Sequence, residues 1–109
     1  MKDIQNRLQQ FREDRNWTQF HNPKDLAISI SLEASELLEN FQWSGADLNA
    51  TNKKQAISEE LADVMIYCMY LADSLDIDIP QAISDKIDKN ERKYPIDKSY
   101  GNSRKYTEL

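Results

Sequence analysis

An all-α fold is the class this sequence predicts, and three observations predict it. Only two glycines and three prolines interrupt its 109 residues, so few positions force the chain to turn. Between them the apolar residues recur at helical rather than alternating spacing. Two acidic patterns, Glu33-Ala34-Ser35-Glu36 and Glu60-Leu61-Ala62-Asp63, repeat the i, i+3 interval that brings side chains together on a helix face.

Four helices follow from this pattern. The first spans roughly residues 2–15, where Ile4, Leu8 and Phe11 form one apolar stripe. The second opens at Asn22 as N-cap with Pro23 at the first helical position, and runs to about Trp43 before Gly45 ends it. The third starts near Asn52, whose spacing to Gln55 resembles a capping box, and continues to about Leu75. Its stretch from Val64 to Ala72 is apolar on every side, so this helix is expected at the centre, covered in part by a second copy of the chain. The fourth begins near Asp78 and Pro80 and stops before Pro95, with Ala82, Ile83 and Ile87 facing inward. Residues 1–95 are thus expected to form one helical domain. Residues 96–109 form a polar tail, too poor in apolar groups to pack alone and able to close over a site.

Composition narrows the function. Fourteen basic against nineteen acidic residues give a net charge of −5, which argues against non-specific binding to nucleic acid or an anionic membrane. An anionic ligand would need a metal bridge. The longest apolar run falls far short of the ~18 residues of a membrane span, and no basic segment leads into an apolar stretch, so a soluble protein is expected. Cys68 is the one cysteine and lies in an apolar run, which fits packing in a reducing cytoplasm.

The acidic pairs carry the chemistry. Leu32, Leu37 and Leu38 flank the first, and Leu61, Val64 and Met65 the second, so four carboxylates crowd against apolar surface. Such carboxylates repel one another and lose hydration unless a cation neutralises them. Hard oxygen ligands alone select Mg²⁺ or Mn²⁺ over zinc. A di-iron bundle would need Glu-x-x-His pairs, yet the single histidine, His21, lies outside both motifs. An EF-hand would gather its acids in a Gly-containing loop rather than along two helices. One Glu-x-x-Glu is ordinary surface decoration; two on apolar-rich helices favour a metal site. Glu39 and Glu59 adjoin the motifs but fall outside the paired positions, and are expected to be exposed. Open positions on a metal held here would suit phosphate oxygens.

The residues also resemble a known family. Glu33-x-x-Glu36 followed by Glu60-x-x-Asp63 is similar to the signature of the all-α nucleoside triphosphate pyrophosphohydrolases of the MazG type. Trp17-Thr-Gln-Phe20-His21-Asn-Pro23, Phe41-Gln-Trp43, Asp63-Val-Met-Ile-Tyr67, Lys89-Asn90-Glu-Arg-Lys-Tyr94-Pro95 and Ser103-Arg104-Lys105-Tyr106-Thr107 resemble the dCTP pyrophosphatase branch, in the expected order along nearly the whole chain. The resemblance implies a four-helix bundle of that type, assembled as a homodimer or dimer of dimers with the site built from more than one subunit. It implies attack of water on the α-phosphorus of a deoxynucleoside triphosphate, dCTP or modified dCTP, yielding the monophosphate and pyrophosphate. It further implies Mg²⁺, or Mn²⁺ in its place, held by Glu33, Glu36, Glu60 and Asp63. Trp17, Phe20, His21, Trp43 and Tyr67 would contact the nucleotide, with Asn90 and Tyr94 near it and Arg104 and Lys105 as phosphate partners. One position departs: some members carry a polar side chain on the first helix about where Leu8 falls.

Physical reasoning meets these implications part way. Stacking a base on Trp17, Phe20 or Trp43 is worth about 1–3 kcal/mol and tolerates different bases, whereas tryptophans at helix ends more often plug a small core. His21 can bond a sugar or phosphate, although a lone histidine before a helix start is commonly structural. Two other functions remain open: a MazG-like hydrolase of different or broad preference, including dATP or dUTP, and a catalytically idle helical module that binds nucleotide or a partner protein.

Overall fold

The computed structural model describes residues 1–108; Leu109, the last residue of the expected tail, and the Tyr106 side chain of the tail block lie outside the described residues. The described residues are helical, with no strand. They divide into two compact units, Met1–Asp76 and a second beginning at Ile77.

The first unit holds α1 (Lys2–Asp14), α2 (Pro23–Glu39) and α3 (Lys54–Ser74), with short 3₁₀ turns at Thr18–Phe20 and Thr51–Lys53. α2 packs chiefly on α3, and α1 also on α3. The ends of α1 and α2 are chemically specified. After α1 the Trp17 N–H reaches back to the Arg12 carbonyl at 2.9 Å, and Asn16 takes the left-handed conformation at φ 54°, a Schellman-type ending that asparagine tolerates. α2 starts as expected: the Asn22 Oδ1 accepts from the Asp25 N–H at 2.9 Å, Asn22 Nδ2 donates to Asp25 Oδ2 at 2.7 Å, and Pro23 follows the cap.

α2 ends at Glu39, earlier than Trp43. The side-chain amide of Asn40 donates to the Leu37 carbonyl at 3.2 Å, and the N–H groups of residues 40–42 bond three rather than four residues back. The last turn tightens and the chain leaves the helix through turns, with Gly45 at φ 56° beyond it. The expected capping box at Asn52 is also absent. Instead Asp47 accepts from the Thr51 N–H and the Thr51 hydroxyl, each at 2.9 Å, and the intervening Ala50 is buried in the left-handed region at φ 45°. An Asx-type clamp in the loop substitutes for a cap on the helix.

Leu26 on α2 is the most deeply buried side chain, only 1% exposed, and Met69, Tyr70 and Ala72 on α3 complete the apolar centre with Ala50. The all-round apolar stretch of α3 is therefore only partly covered. Leu61 and Met65 on α3 and Ile28, Leu32 and Leu38 on α2 are exposed.

The second unit holds α4 (Ile79–Lys93), α5 (Ile96–Ser99) and a 3₁₀ turn at Tyr106–Glu108. α4 starts as expected, with Asp78 accepting from the Gln81 N–H at 3.0 Å. Its apolar stripe does not lie inward as expected: Ala82, Ile83 and Ile87 are exposed. The short α5 lies in the segment expected to be a polar tail. Pro95 at its N-cap starts it, and the Ser99 N–H closes one turn back to the Pro95 carbonyl at 2.9 Å. No described helix is long and apolar enough to cross a membrane.

Candidate functional site

The acidic motifs lie on the two helices that pack most closely, so Glu33 and Glu36 of α2 meet Glu60 of α3. One carboxylate oxygen from each of these three residues falls within 4.8 Å of the others. That spacing suits a single divalent cation bridged by several carboxylates. Asp63 falls outside this closest group yet acts electrostatically on both Glu33 and Glu60.

The site is strained without a cation. Shielding from water, the hydrogen bond with Glu36 and the charges of Glu36, Asp63 and Glu60 push the Glu33 carboxyl up from 4.5 to about 6. Glu60 is also raised, first by loss of hydration and then by its bond with Glu36 and the charges of Glu36, Asp63 and Glu39. The Oε2 atoms of Glu33 and Glu60 are both buried without a hydrogen-bond donor. Buried carboxylate oxygens lacking any donor are uncommon, because the desolvation cost goes unmet. A hard divalent cation meets that cost, so the residues present fit a metal. Glu39 and Glu59, expected to be exposed, are exposed.

Beside the acids lies an aromatic pocket of about 270 Å³ lined by Leu8, Phe11, Trp17, His21, Asp63, Ile66, Tyr67 and Tyr70. Asp63 and Tyr67 join the two regions, being one helical turn apart on α3. Tyr67 feels the acids directly: burial first, then the charges of Glu33, Asp63 and Glu36, raise its phenol above the ordinary range. It stays a neutral donor at physiological pH. A second hollow of about 270 Å³ shares Trp17, His21 and Tyr67 and adds Phe20, Asp25, Leu26 and Ser29.

Trp17, Phe20, His21 and Tyr67 are thus gathered around two adjoining hollows. Trp43 is not among them; it follows α2 at 85% exposure, so it plugs no core among the described residues. Asn90, Tyr94, Arg104 and Lys105 belong to the second unit. There Tyr94 lines a surface hollow with Glu91, Ile96 and Asp97, while Asn90 accepts the Tyr94 N–H at its carbonyl at 2.8 Å. The Arg104 N–H bonds Asn102 Oδ1 at 3.0 Å, and Arg104 and Lys105 are exposed.

Arg12 and Asp73, on the far side of the pocket-lining Tyr70, carry no sequence signal of a site. Arg12 is buried, ion-paired with Asp73, and lies over the Tyr70 ring at 5.0 Å from its centroid. Arg12 sits in a helix rich in charges and Asp73 near the end of another, so their meeting depends on how α1 crosses α3. A buried arginine on an amphipathic helix can be suspected only from a partner, and sequence spacing does not link positions so far apart.

Comparison with known proteins agrees with this geometry. Residues 28–109 match the family model described as MazG-like. The chain is 38% identical to dCTP pyrophosphatase 1 of Bos taurus and 39% identical to that of Homo sapiens, over alignments that span all of this chain and 68% and 67% of theirs. The solved structure of a pyrophosphatase from Archaeoglobus fulgidus superposes with a TM-score of 0.83 at 43% identity, covering 87% of this chain and 92% of that one. The acids on α2 and α3 and the matched sequence tell the same story: the chain belongs to the MazG-like family.

Proposed function

We propose that this protein hydrolyses a deoxynucleoside triphosphate, dCTP or a modified dCTP, to the monophosphate and pyrophosphate with Mg²⁺ as cofactor. The observation that carries this reading is the set of donorless carboxylate oxygens on Glu33 and Glu60 beside an aromatic pocket. The names of the similar dCTP pyrophosphatases and of the similar archaeal pyrophosphatase support the reaction class.

Glu33, Glu36 and Glu60 would hold the cation, with Asp63 completing the set. A bound Mg²⁺, or Mn²⁺ in its place, would offset charge on the triphosphate and favour the attacking water as hydroxide. A carboxylate not fully used as ligand orients that water and takes its proton as the oxygen bonds to the α-phosphorus; the bond from that phosphorus to the bridging oxygen breaks, and pyrophosphate leaves. Trp17 and Phe20 offer faces for the base, His21 a polar edge, and the neutral Tyr67 phenol a donor towards the sugar. Leu8 contributes no polar side chain to the pocket, so discrimination falls to these groups.

The active form in this reading is a homodimer or dimer of dimers. Support comes from Leu61, Met65, Ile28, Leu32, Ile83 and Ile87, an exposed apolar complement too large for an isolated small domain. The strongly exposed Trp43 would then stack on the base in a neighbouring copy's site. Asn90, Tyr94, Arg104 and Lys105 would approach the nucleotide in the same assembly, with the tail closing over its phosphates. A reducing cytoplasm is the proposed compartment.

A panel of nucleoside triphosphates assayed for pyrophosphate release with Mg²⁺ tests the reading. Preferential turnover of dCTP is expected. Equal turnover of dATP and dUTP would replace the substrate assignment with broad specificity, and no release from any triphosphate would leave a binding module.

A further inference from the structure

One ring that lines the aromatic pocket, Tyr70, is backed by a buried cation. Arg12 is 3% exposed, the one charged side chain buried among the described residues. Its guanidinium donates to Gln9 Oε1 at 3.1 Å and to Asp73, and lies 5.0 Å from the centroid of the Tyr70 ring. The His21 ring lies 4.8 Å from the Tyr70 ring, tilted by 40°. Tyr70 is itself fixed: its hydroxyl donates to the Leu8 carbonyl at 3.4 Å, and Tyr67 meets it edge-on at 6.1 Å. A cation, a phenol and an imidazole therefore link the Arg12–Asp73 ion pair to the pocket.

A buried arginine is a costly way to fill this space. Its Nε–H has no acceptor, and Asp73 is half-exposed, so the pair is incompletely compensated. An apolar side chain of similar volume would serve packing as well or better. The arginine does two things that an apolar residue cannot: it holds the face of Tyr70 by a cation–π contact, and its charge opposes protonation of the nearby imidazole. His21 makes no side-chain hydrogen bond among the described residues, and its buried Nδ1 lacks a partner. An uncharged imidazole retains one donor and one acceptor, while an imidazolium has donors only.

We propose that Arg12 is a positioning residue for substrate recognition: clamped to Asp73 behind Tyr70, it holds the Tyr70 ring and the imidazole tilted beside it so that His21 meets the nucleoside part of the substrate as an uncharged hydrogen-bonding group. This rests on the hydrolase reading and adds to it how the polar edge of the pocket is set. The groups facing His21 are Arg12 from α1, Asp63, Tyr67 and Tyr70 from α3, and Asp25 from α2. Burial first and the Arg12 charge second hold His21 below its ordinary value.

His21 is the only histidine, so its ring proton signals can be followed by NMR without assignment ambiguity. Parent, Arg12→Met, Arg12→Lys, His21→Ala and the Arg12→Met/His21→Ala double variant are compared in dCTP turnover and, for the histidine-containing proteins, in imidazole titration. Arg12→Met is expected to raise KM about tenfold with kcat near parent, the size of one hydrogen bond lost. Its His21 titration should move to higher pH than in the parent, with Arg12→Lys lying between. The double variant should be no worse than His21→Ala alone, because one residue acts through the other. Additive losses, or an Arg12→Met protein with lower Tm but parental KM and an unmoved His21 titration, overturn the proposal. If Arg12→Met does not fold, Arg12→Lys carries the same comparison of KM and titration. No pyrophosphate release by the parent would overturn the hydrolase reading and this proposal together, whereas normal parental turnover with additive variants overturns this proposal alone.

Discussion

Lowering pH should release the cation from the acidic site before it unfolds the protein. Glu33 must be ionised to serve as ligand, yet its surroundings hold its carboxyl near 6 rather than 4.5 in the metal-free state. Metal and proton therefore compete for it. Above about pH 7 the apparent affinity for Mg²⁺ or Mn²⁺ should be nearly flat; below about pH 6 it should fall about tenfold per unit for the one proton displaced. The steepness grows if Glu60, also raised, binds a second proton. Metal-free stability runs the other way. A carboxyl whose pKa is higher folded than unfolded binds protons better when folded, so its contribution favours the native state at low pH and is lost as pH rises from about 4.5 through about 6. Isothermal titration with Mn²⁺ across pH 5–8 reads the affinity, and thermal melts with and without metal read the stability. Glu33→Gln should flatten the metal-free stability profile over that window. Affinity independent of pH down to 5 would refute the reasoning, since the crowded carboxylates would then not be protonating.

Three further outcomes follow from the same geometry. Asp63→Ala should abolish hydrolysis with helicity intact, and stabilisation by Mg²⁺ should appear in the parent and be lost or much reduced in the variant, as melts with and without metal will read; a fully active variant would sink the assignment. Trp43→Ala should raise KM for the best deoxynucleoside triphosphate by roughly one to two powers of ten, the equivalent of about 1–3 kcal/mol of stacking, while a side chain 85% exposed in the single chain leaves metal affinity unchanged. Leu26→Ala should lower stability by about 2–5 kcal/mol in denaturant melts, because the most buried side chain of α2 leaves a cavity facing α3.

Much of this was legible because it was local. Asn22-Pro23 and Asp78 announce their helices by capping chemistry, and both caps form. The i, i+3 acids could be assigned to shared faces without knowing how the helices pack. What escaped the sequence depended on competition between local signals or on contacts distant in the chain. Asn40 closed α2 before Gly45 could, and Asp47 took over the role assigned to Asn52. Ile83 and Ile87 obey a helical stripe, but periodicity says only that a face wants covering and not that the same chain covers it. Arg12, Tyr70 and Asp73 could not be joined without the crossing of α1 over α3.

The Asp47 clamp separates the spacing of the clustered acids from the length of the loop that links them. The turn into α3 is fixed by Asp47 and Thr51 and the exit of α2 by Asn40, while the two helices register through their own packing, so the exposed residues Gln42, Trp43, Gly45 and Ala46 are the part of the link freest to change. Natural or engineered insertions can collect there without rotating Glu60 away from Glu33. A single residue gained or lost inside α3 ahead of Glu60 would instead turn Glu60 and Asp63 by about 100° about the helix axis relative to the preceding turn and disperse the acids.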